Sequence, residues 1–571
     1  MLAAPARAAD PILPLSEVRA GMQCTSLSVV RGVEPVRFDV EIIDVVEGGS
    51  GAGPRILVRV SGPAVDATGI GPGFSGSPIY CPNAQGVQAN AGAISESVGE
   101  FGGKVALATP IEAVLGNPPD APAQARSRPA TVRKARKLAE PITISGLSRP
   151  VQTALTRAAA KRGRVVLAAP SGPLRSFPPQ VLRPGSAMGV GYSSGDLTIG
   201  AVGTVAYVDG DRVWGFGHEL DAVGRRNLLL QDAYVYRVIN NPNQLGEIGT
   251  TYKLAAASHD VGTLSNDALN SVVGRLGGLP KTVPVRVTAR DLDTGRRQSV
   301  DTNVAEETDI EDPLGAPLVS LIAPLAVTQA ASGVLNSSPA KVTGDMCAKI
   351  SVRELKKPLR FCNRYVGDAG GGLGEGSFGN VVASAAAGDV ETALSLIGAY
   401  TSRALHVTGV DAGIRVRRGS ALEYMRDLEL PRRVRPGQRV RAKLTVQRLR
   451  GPKRVLRVRL KMPSDLKRGS RRIILRGTDA DFSDEGLFEA ITILFGDEEE
   501  DEDRNRDRSA LDEGPQSLQE LAESVEALER FDGVELFVDR ARGEGIPAFR
   551  DPDVRLSGRV SARVRVGGKR R

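Results

Sequence analysis

Histidine is almost missing from this chain: of 571 residues only His218, His259 and His406 are histidines. The four cysteines include no Cys-x-x-Cys pair and lie far from those histidines in sequence, which argues against a zinc site of the usual ligand spacing. No metal or cofactor is expected. Aromatics are scarce too, at 4%, against 65 Gly and 36 Pro, a balance that favours a β- and turn-rich chain over helical bundles. Long apolar runs are lacking except for "PLGAPLVSLIAPLAVTQAASGVLNSSPAK" at 313–341, which is interrupted by Pro317, Pro324, Gln329 and Ser332. It reads as a buried helix broken at Pro324 and not as a transmembrane span. Also absent is any basic cluster with interleaved aromatics. The net charge of +9 comes mainly from Arg at alternate positions, as in "RVLRVRLKM" and "RVSARVRV", the pattern of a strand's wet face. A nucleic-acid partner is therefore not expected.

The length suggests roughly three or four domains. Residues 1–13, Ala-rich with Ala-x-Ala spacing, resemble the remnant of a secretory signal peptide. Residues 14–116 read as short strands and Gly/Pro turns, ending in a helical turn, "TPIEAVLG". A Pro- and Arg-rich linker is expected over 117–145. Strands resume over 146–335, with "VDGDRV" carrying an Asp-Gly hairpin signature. A small α+β domain is expected at 336–405 with the helix "DVETALSLIGAY", a β-sandwich at 406–496, and an acidic disordered segment at 497–513. Residues 514–571 hold an amphipathic helix, capped by Ser517 with Glu520 and expected to dock on the sandwich, and basic C-terminal strands. Cys24 with Cys81 and Cys347 with Cys362 are disulfide candidates, which places the chain in an oxidising compartment, secreted or in the cell envelope. Four free thiols are the alternative.

Two glycine-rich stretches invite chemistry. "LGEGSFGNVV" at 373–382 matches a kinase phosphate loop, but no lysine follows on a next strand, so it is read as a connection. In "GPGFSGSPIYC" at 71–81, Gly73, Phe74 and Gly76 surround Ser75. Glycines let such a turn bend sharply and bring its amides to bear on an oxyanion. A serine needs a base. His218, in "WGFGHELD" just after an apolar strand, is the best placed of the three histidines; His259 is polar-flanked and His406 lies in another domain.

"GFSGSPIY", "GAIS" at 92–95 and "TPIEAVL" at 109–115 resemble the serine-bearing half of the SpoIVB-type serine peptidase family. "GVGYSSGDLTIGAVGTVAYVDGDRVWGFGHEL" and "TLSNDALNSVVGRLGG" resemble its histidine-bearing half. The likeness covers roughly residues 14–115 and 185–305, with the halves in permuted order. It implies a mostly β fold, a permuted chymotrypsin-like double β-barrel followed by a small mixed α/β region and a β-sandwich. It further implies Ser75 as nucleophile, His218 as base, Asn270 as a third polar residue, and Ser95 and Ser77 in support. The family's aspartate falls near Ser61, so no carboxylate is matched; Asp66 and Asp221 stand nearby in sequence. Glu219 replaces a small or Pro residue after the histidine, and no PDZ domain precedes. The expected function is an exported serine endopeptidase acting on a protein or peptide, with its own exposed Arg-rich linker a candidate site of self-cleavage. The alternatives are a catalytically degenerate peptidase fold used as a cell-envelope binding module, and an adhesion-type protein working through its sandwich.

Overall fold

A computed structural model describes residues 9–47, 53–98, 103–119, 142–160, 166–170, 177–240, 251–310, 317–335, 341–368, 381–477, 514–528, 533–540, 545–551 and 553–567. The chain is mostly β. Strands β1 (Gln23–Ser28), β2 (Val36–Glu47), β3 (Pro54–Ser61), β4 (Pro78–Pro82), β5 (Gln88–Val98) and β6 (Val105–Pro110) pair in the order β1-β2-β3-β6-β5-β4 and close into a barrel. Alternation decides which side chains face inward: Phe38, Val40 and Ile42 of β2 meet Ile56, Val58 and Val60 of β3. Each such burial contributes about 1.5–3 kcal/mol. A Cys24–Cys81 disulfide staples β1 to β4 where the barrel closes, and α1 (Ile111–Leu115) leads out of it.

The second part begins with β7 (Ile142–Ser145), α2 (Arg149–Ala160) and β8 (Val166–Ala168). β9 (Ala187–Gly195), β10 (Thr198–Asp209), β11 (Arg212–Gly215), β12 (Gly224–Asn240), β13 (Thr251–Ala268) and β14 (Ser271–Leu276) pair as β9-β12-β13-β14-β11-β10. β10 also pairs with β9, so these six strands form a second ring. The expected hairpin is there: Asp209 faces Arg212, with Gly210 at φ 62°. The sheet then continues past the ring through β15 (Thr282–Asp291), β16 (Arg297–Ala305), β17 (Lys341–Val352), β18 (Leu359–Asp368) and β19 (Val407–Arg418), reaching 13 strands. α3 (Leu318–Leu335) and α4 (Val381–Gly398) pack on this extension and share its core. The second disulfide, Cys347–Cys362, crosses directly opposed residues of β17 and β18.

The remaining strands make a sandwich. One sheet has the order β23-β22-β20-β27 and the other β21-β28-β24-β25-β26. The elements are β20 (Leu422–Glu429), β21 (Arg433–Val434), β22 (Arg439–Gln447), β23 (Lys453–Lys461), β24 (Gly469–Gly477), α5 (Leu518–Glu526), β25 (Gly533–Val538), β26 (Ile546–Arg550), β27 (Arg555–Ser557) and β28 (Arg559–Val566). Leu444, Leu460, Ile473, Leu475, Leu536 and Leu556 fill the space between them.

Several expected boundaries move. Residues 10–13 are not merely a signal remnant: Leu13 is buried in the first barrel, its amide bonded to Asn90 O, and Tyr207 Oη donates to Asp10 O. The linker is pinned at both ends, because Trp214 Nε1 donates to Asn117 O and Ser265 and Asn266 hold Pro119 and Pro118, while β7 pairs with β10. Residues 120–141 lie outside the described residues. The region 336–405 is no separate domain, since β17 and β18 extend the large sheet, and β19, assigned above to the sandwich, runs between β17 and β15. The sandwich takes its missing strands from 533–566. α3 is not broken at Pro324: it runs unbroken through the proline, and burial on nearly every side offsets the roughly 3 kcal/mol an internal proline costs. Helix α5 is capped as expected, Glu520 N donating to Ser517 Oγ, but it docks on α4 and β18 rather than on the sandwich, burying Leu521 and Val525. The kinase-like loop up to residue 380 and the acidic segment up to 513 lie outside the described residues.

Candidate active site

Ser75 sits in the connection between β3 and β4, and the turn around it is tight because its glycines make it so. Gly73 and Gly76 have φ 92° and 89°, the left-handed region that only glycine enters without strain. Phe74 N donates to Gly71 O, Ser77 N to Phe74 O and Gly76 N to Ile94 O. The amides of Phe74, Gly76 and Ser77 are therefore committed to carbonyls.

The turn is clamped against the second ring. Thr204 of β10 donates its amide to Ser75 O and accepts at its own carbonyl from Phe216 N, 3.2 Å away. A Cβ on Gly76 would lie 1.9 Å from Thr204 O and 2.6 Å from Phe216 N. One residue of β10 thus joins the serine turn to the turn that carries His218.

That second turn is bent by two successive left-handed residues, Phe216 at φ 65° and Gly217 at φ 72°, the former costing on the order of 1–3 kcal/mol. Thr109 Oγ1 donates to Gly217 O, and Gly217 packs on the backbone of Ala93 and Ile94. His218 follows, 4% exposed, with Nδ1 2.6 Å from Glu219 O. A carbonyl only accepts, so Nδ1 is protonated where it faces Glu219 O.

The loop after His218 hangs on a buried charge cluster. Asp267 accepts from the amides of Leu220 and Asp221, both at 2.7 Å. Burial, together with the neighbouring Asp221, pushes its carboxyl up to about 6, against the pull of Arg226 and those two amides. Arg226 forks onto Glu307 and reaches Asp221 Oδ2 at 2.9 Å. Asp221 is thus part of the loop's anchor, and Tyr192 Oη also donates to it. Asp66 is an exposed partner of Lys104.

Beneath the serine turn lies a buried lysine that the sequence reading did not single out. Lys253 of β13 donates through Nζ to Ser28 Oγ at 2.7 Å and Thr204 Oγ1 at 3.1 Å. Thr204 Oγ1 in turn donates to Gly73 O, and Ser77 Oγ lies 2.6 Å from Phe74 O and 2.9 Å from Ser28 Oγ. The ammonium also stands 4.5 Å from the Phe74 ring centroid. Both carbonyls preceding Ser75 are thereby tied to one cation through hydroxyls. The available signal was a lysine at an inward position of "TYKLAAAS", where Thr251, Ala255 and Ala257 are buried.

The other expected residues occupy different places. Asn270, in the β13–β14 turn, accepts from Arg55, which pairs with Glu96. Ser95 Oγ donates to Leu107 O inside the first barrel. His259 pairs with buried Asp232 and packs on Phe177, and His406 bridges Glu354 and Asp309. Among the described residues no group of three or more His, Cys, Asp or Glu is placed to hold a metal ion. Comparison with models of known protein families, with curated proteins and with solved structures finds no match for this chain.

Proposed function

We propose that the chain is a serine endopeptidase, with Ser75 as nucleophile and His218 as general base. The observation that carries this reading is the clamp at Thr204, which fixes a glycine-bent serine turn from one barrel against a histidine turn from the other. In the mechanism, His218 Nε2 takes the Ser75 hydroxyl proton as Oγ attacks a peptide carbonyl, then returns it to the leaving amine. The Glu219 carbonyl supports the charged imidazolium in the place an aspartate often takes. Lys253, acting through Thr204, Ser28 and Ser77, keeps the Gly73 and Phe74 carbonyls turned away from the oxyanion. The two disulfides are compatible with work outside the cell.

A second reading rests on one fact: Ser75 is 0% exposed. A substrate carbonyl cannot reach it until neighbouring groups move, which fits a degenerate peptidase fold that binds without cleaving. Labelling with a fluorophosphonate probe separates the two. An active enzyme labels in wild type and loses the label in Ser75→Ala and His218→Ala. Folded wild type that takes up no label sinks the peptidase reading and leaves the binding module.

A further inference from the structure

The hairpin β22–β23 of the sandwich opposes like charges in three successive pairs: Arg439 faces Lys461, Arg441 faces Arg459, and Lys443 faces Arg457. All six side chains are on the exposed face of the sheet. Directly opposed like charges destabilise a sheet, so this grid costs stability unless something offsets it. Among the described residues almost nothing does. Lys443 pairs with Glu429 on β20, whereas Arg439, Arg441, Arg457, Arg459 and Lys461 make no ion pair with any described residue. The neighbouring acids Asp427 and Glu429 border only the Lys443 end. On the other sheet Arg471 and Arg476 are matched by Asp539 and Glu535, and the like-charge pairs there, Arg472 with Arg563 and Arg476 with Arg559, do not form an unbroken series of three.

Apolar groups stand beside the cations. Leu449 projects from the hairpin tip between Arg448 and Arg450 at 55% exposure, and Val455 shares the outward face at the same value. With alternate residues about 7 Å apart and strands about 5 Å apart, the grid is a flat rectangle of charge with an apolar point at one end. A phosphodiester backbone alone gives Leu449 and Val455 nothing to bury in, and the aromatic on this face, Tyr424 opposite Gln447, is half-buried with the Arg426 guanidinium over its ring. A lipid surface serves both kinds of group: anionic headgroups for the cations, and the headgroup–acyl boundary for the tip.

We infer that the β22–β23 face is a peripheral docking surface for an anionic membrane, with Leu449 entering the headgroup layer. The inference stands whether or not Ser75 is catalytic. The test is co-sedimentation of the full chain with vesicles of phosphatidylcholine, with and without phosphatidylglycerol, at about 0.1 M salt. Binding is expected only to the anionic vesicles. It should weaken on the order of a hundredfold in Arg441→Gln/Arg457→Gln/Arg459→Gln and several-fold in Leu449→Ser, with thermal melts unchanged or raised. Failure to bind anionic vesicles, or binding that the triple variant leaves intact, overturns it. So does tighter binding to duplex DNA at the same salt that Leu449→Ser leaves unaltered, since that outcome assigns the cations to a phosphate backbone.

Discussion

At Gly76 the whole site depends on a missing methyl group. Its φ of 89° and the 1.9 Å that a Cβ would leave to Thr204 O come together at the seam between the barrels. Gly76→Ala should therefore cost at least about 2 kcal/mol and abolish labelling of Ser75, while Gly86→Ala, at φ 76° but with open space around it, costs only about 1. Denaturant midpoints of the two variants check this; equal losses would mean that the clamp carries no stability. Asp267 makes a pH statement. Its folded carboxyl titrates near 6, above the ordinary aspartate at 3.8, so the folded chain holds a proton that the unfolded chain has released between those values. Its contribution to stability is thus highest below pH 4 and falls as pH rises to 6. Asp267→Asn should flatten that decline in denaturation series over pH 4–6, and should loosen the His218 loop because an amide oxygen replaces a two-oxygen acceptor. The turns that carry Ser75 and His218 were legible in the sequence because glycine spacing marks turns. Thr204 and Lys253 were not, because their role comes from strand register between residues well over 100 positions from Ser75 in sequence.

Among the elements, the two disulfides close loops of different length: 57 residues for Cys24–Cys81 and 15 for Cys347–Cys362. Loop-closure entropy gives about 4 and about 3 kcal/mol respectively. Paired Cys→Ala variants should lower the melting temperature in that order, the first also loosening the barrel closure between β1 and β4. A second joint is His406, whose ring ties the start of β19 to Glu354 and to Asp309. Burial alone would lower its pKa, but those carboxylates raise it above 6.5. A raised histidine contributes stability that is full below pH 6.5 and is lost as pH rises through the folded value. Thermal stability of wild type should fall over that window more than that of His406→Gln. Parallel curves would remove His406 from the account. Element by element, period-2 patterning located the strands of both barrels and the sandwich. It misjudged α3, where an internal proline was overruled by packing that a sequence does not display.

For the molecule as a whole, the sequence separated regions that the fold joins. Composition shifts near 336 and 406 marked connections, yet the strands on either side pair across them, because pairing partners in a mixed sheet need not be neighbours in sequence. β19 is the decisive case, lying parallel to β15 on one side and antiparallel to β17 on the other. A chain ended at residue 405 would leave β15 and β17 with exposed edges and strip Val410, Ile414 and Val416 from the core they share with α3 and α4. A chain ended at residue 420 keeps β19 and gives up only the sandwich and α5, whose Leu521 and Val525 cover α4 and β18. The shorter truncation product should therefore be insoluble or molten. The longer one should fold with a lowered melting temperature. Circular dichroism and gel filtration of the two products decide it: a well-folded chain ending at 405 would mean that the large sheet does not need to be continuous from the ring to β17.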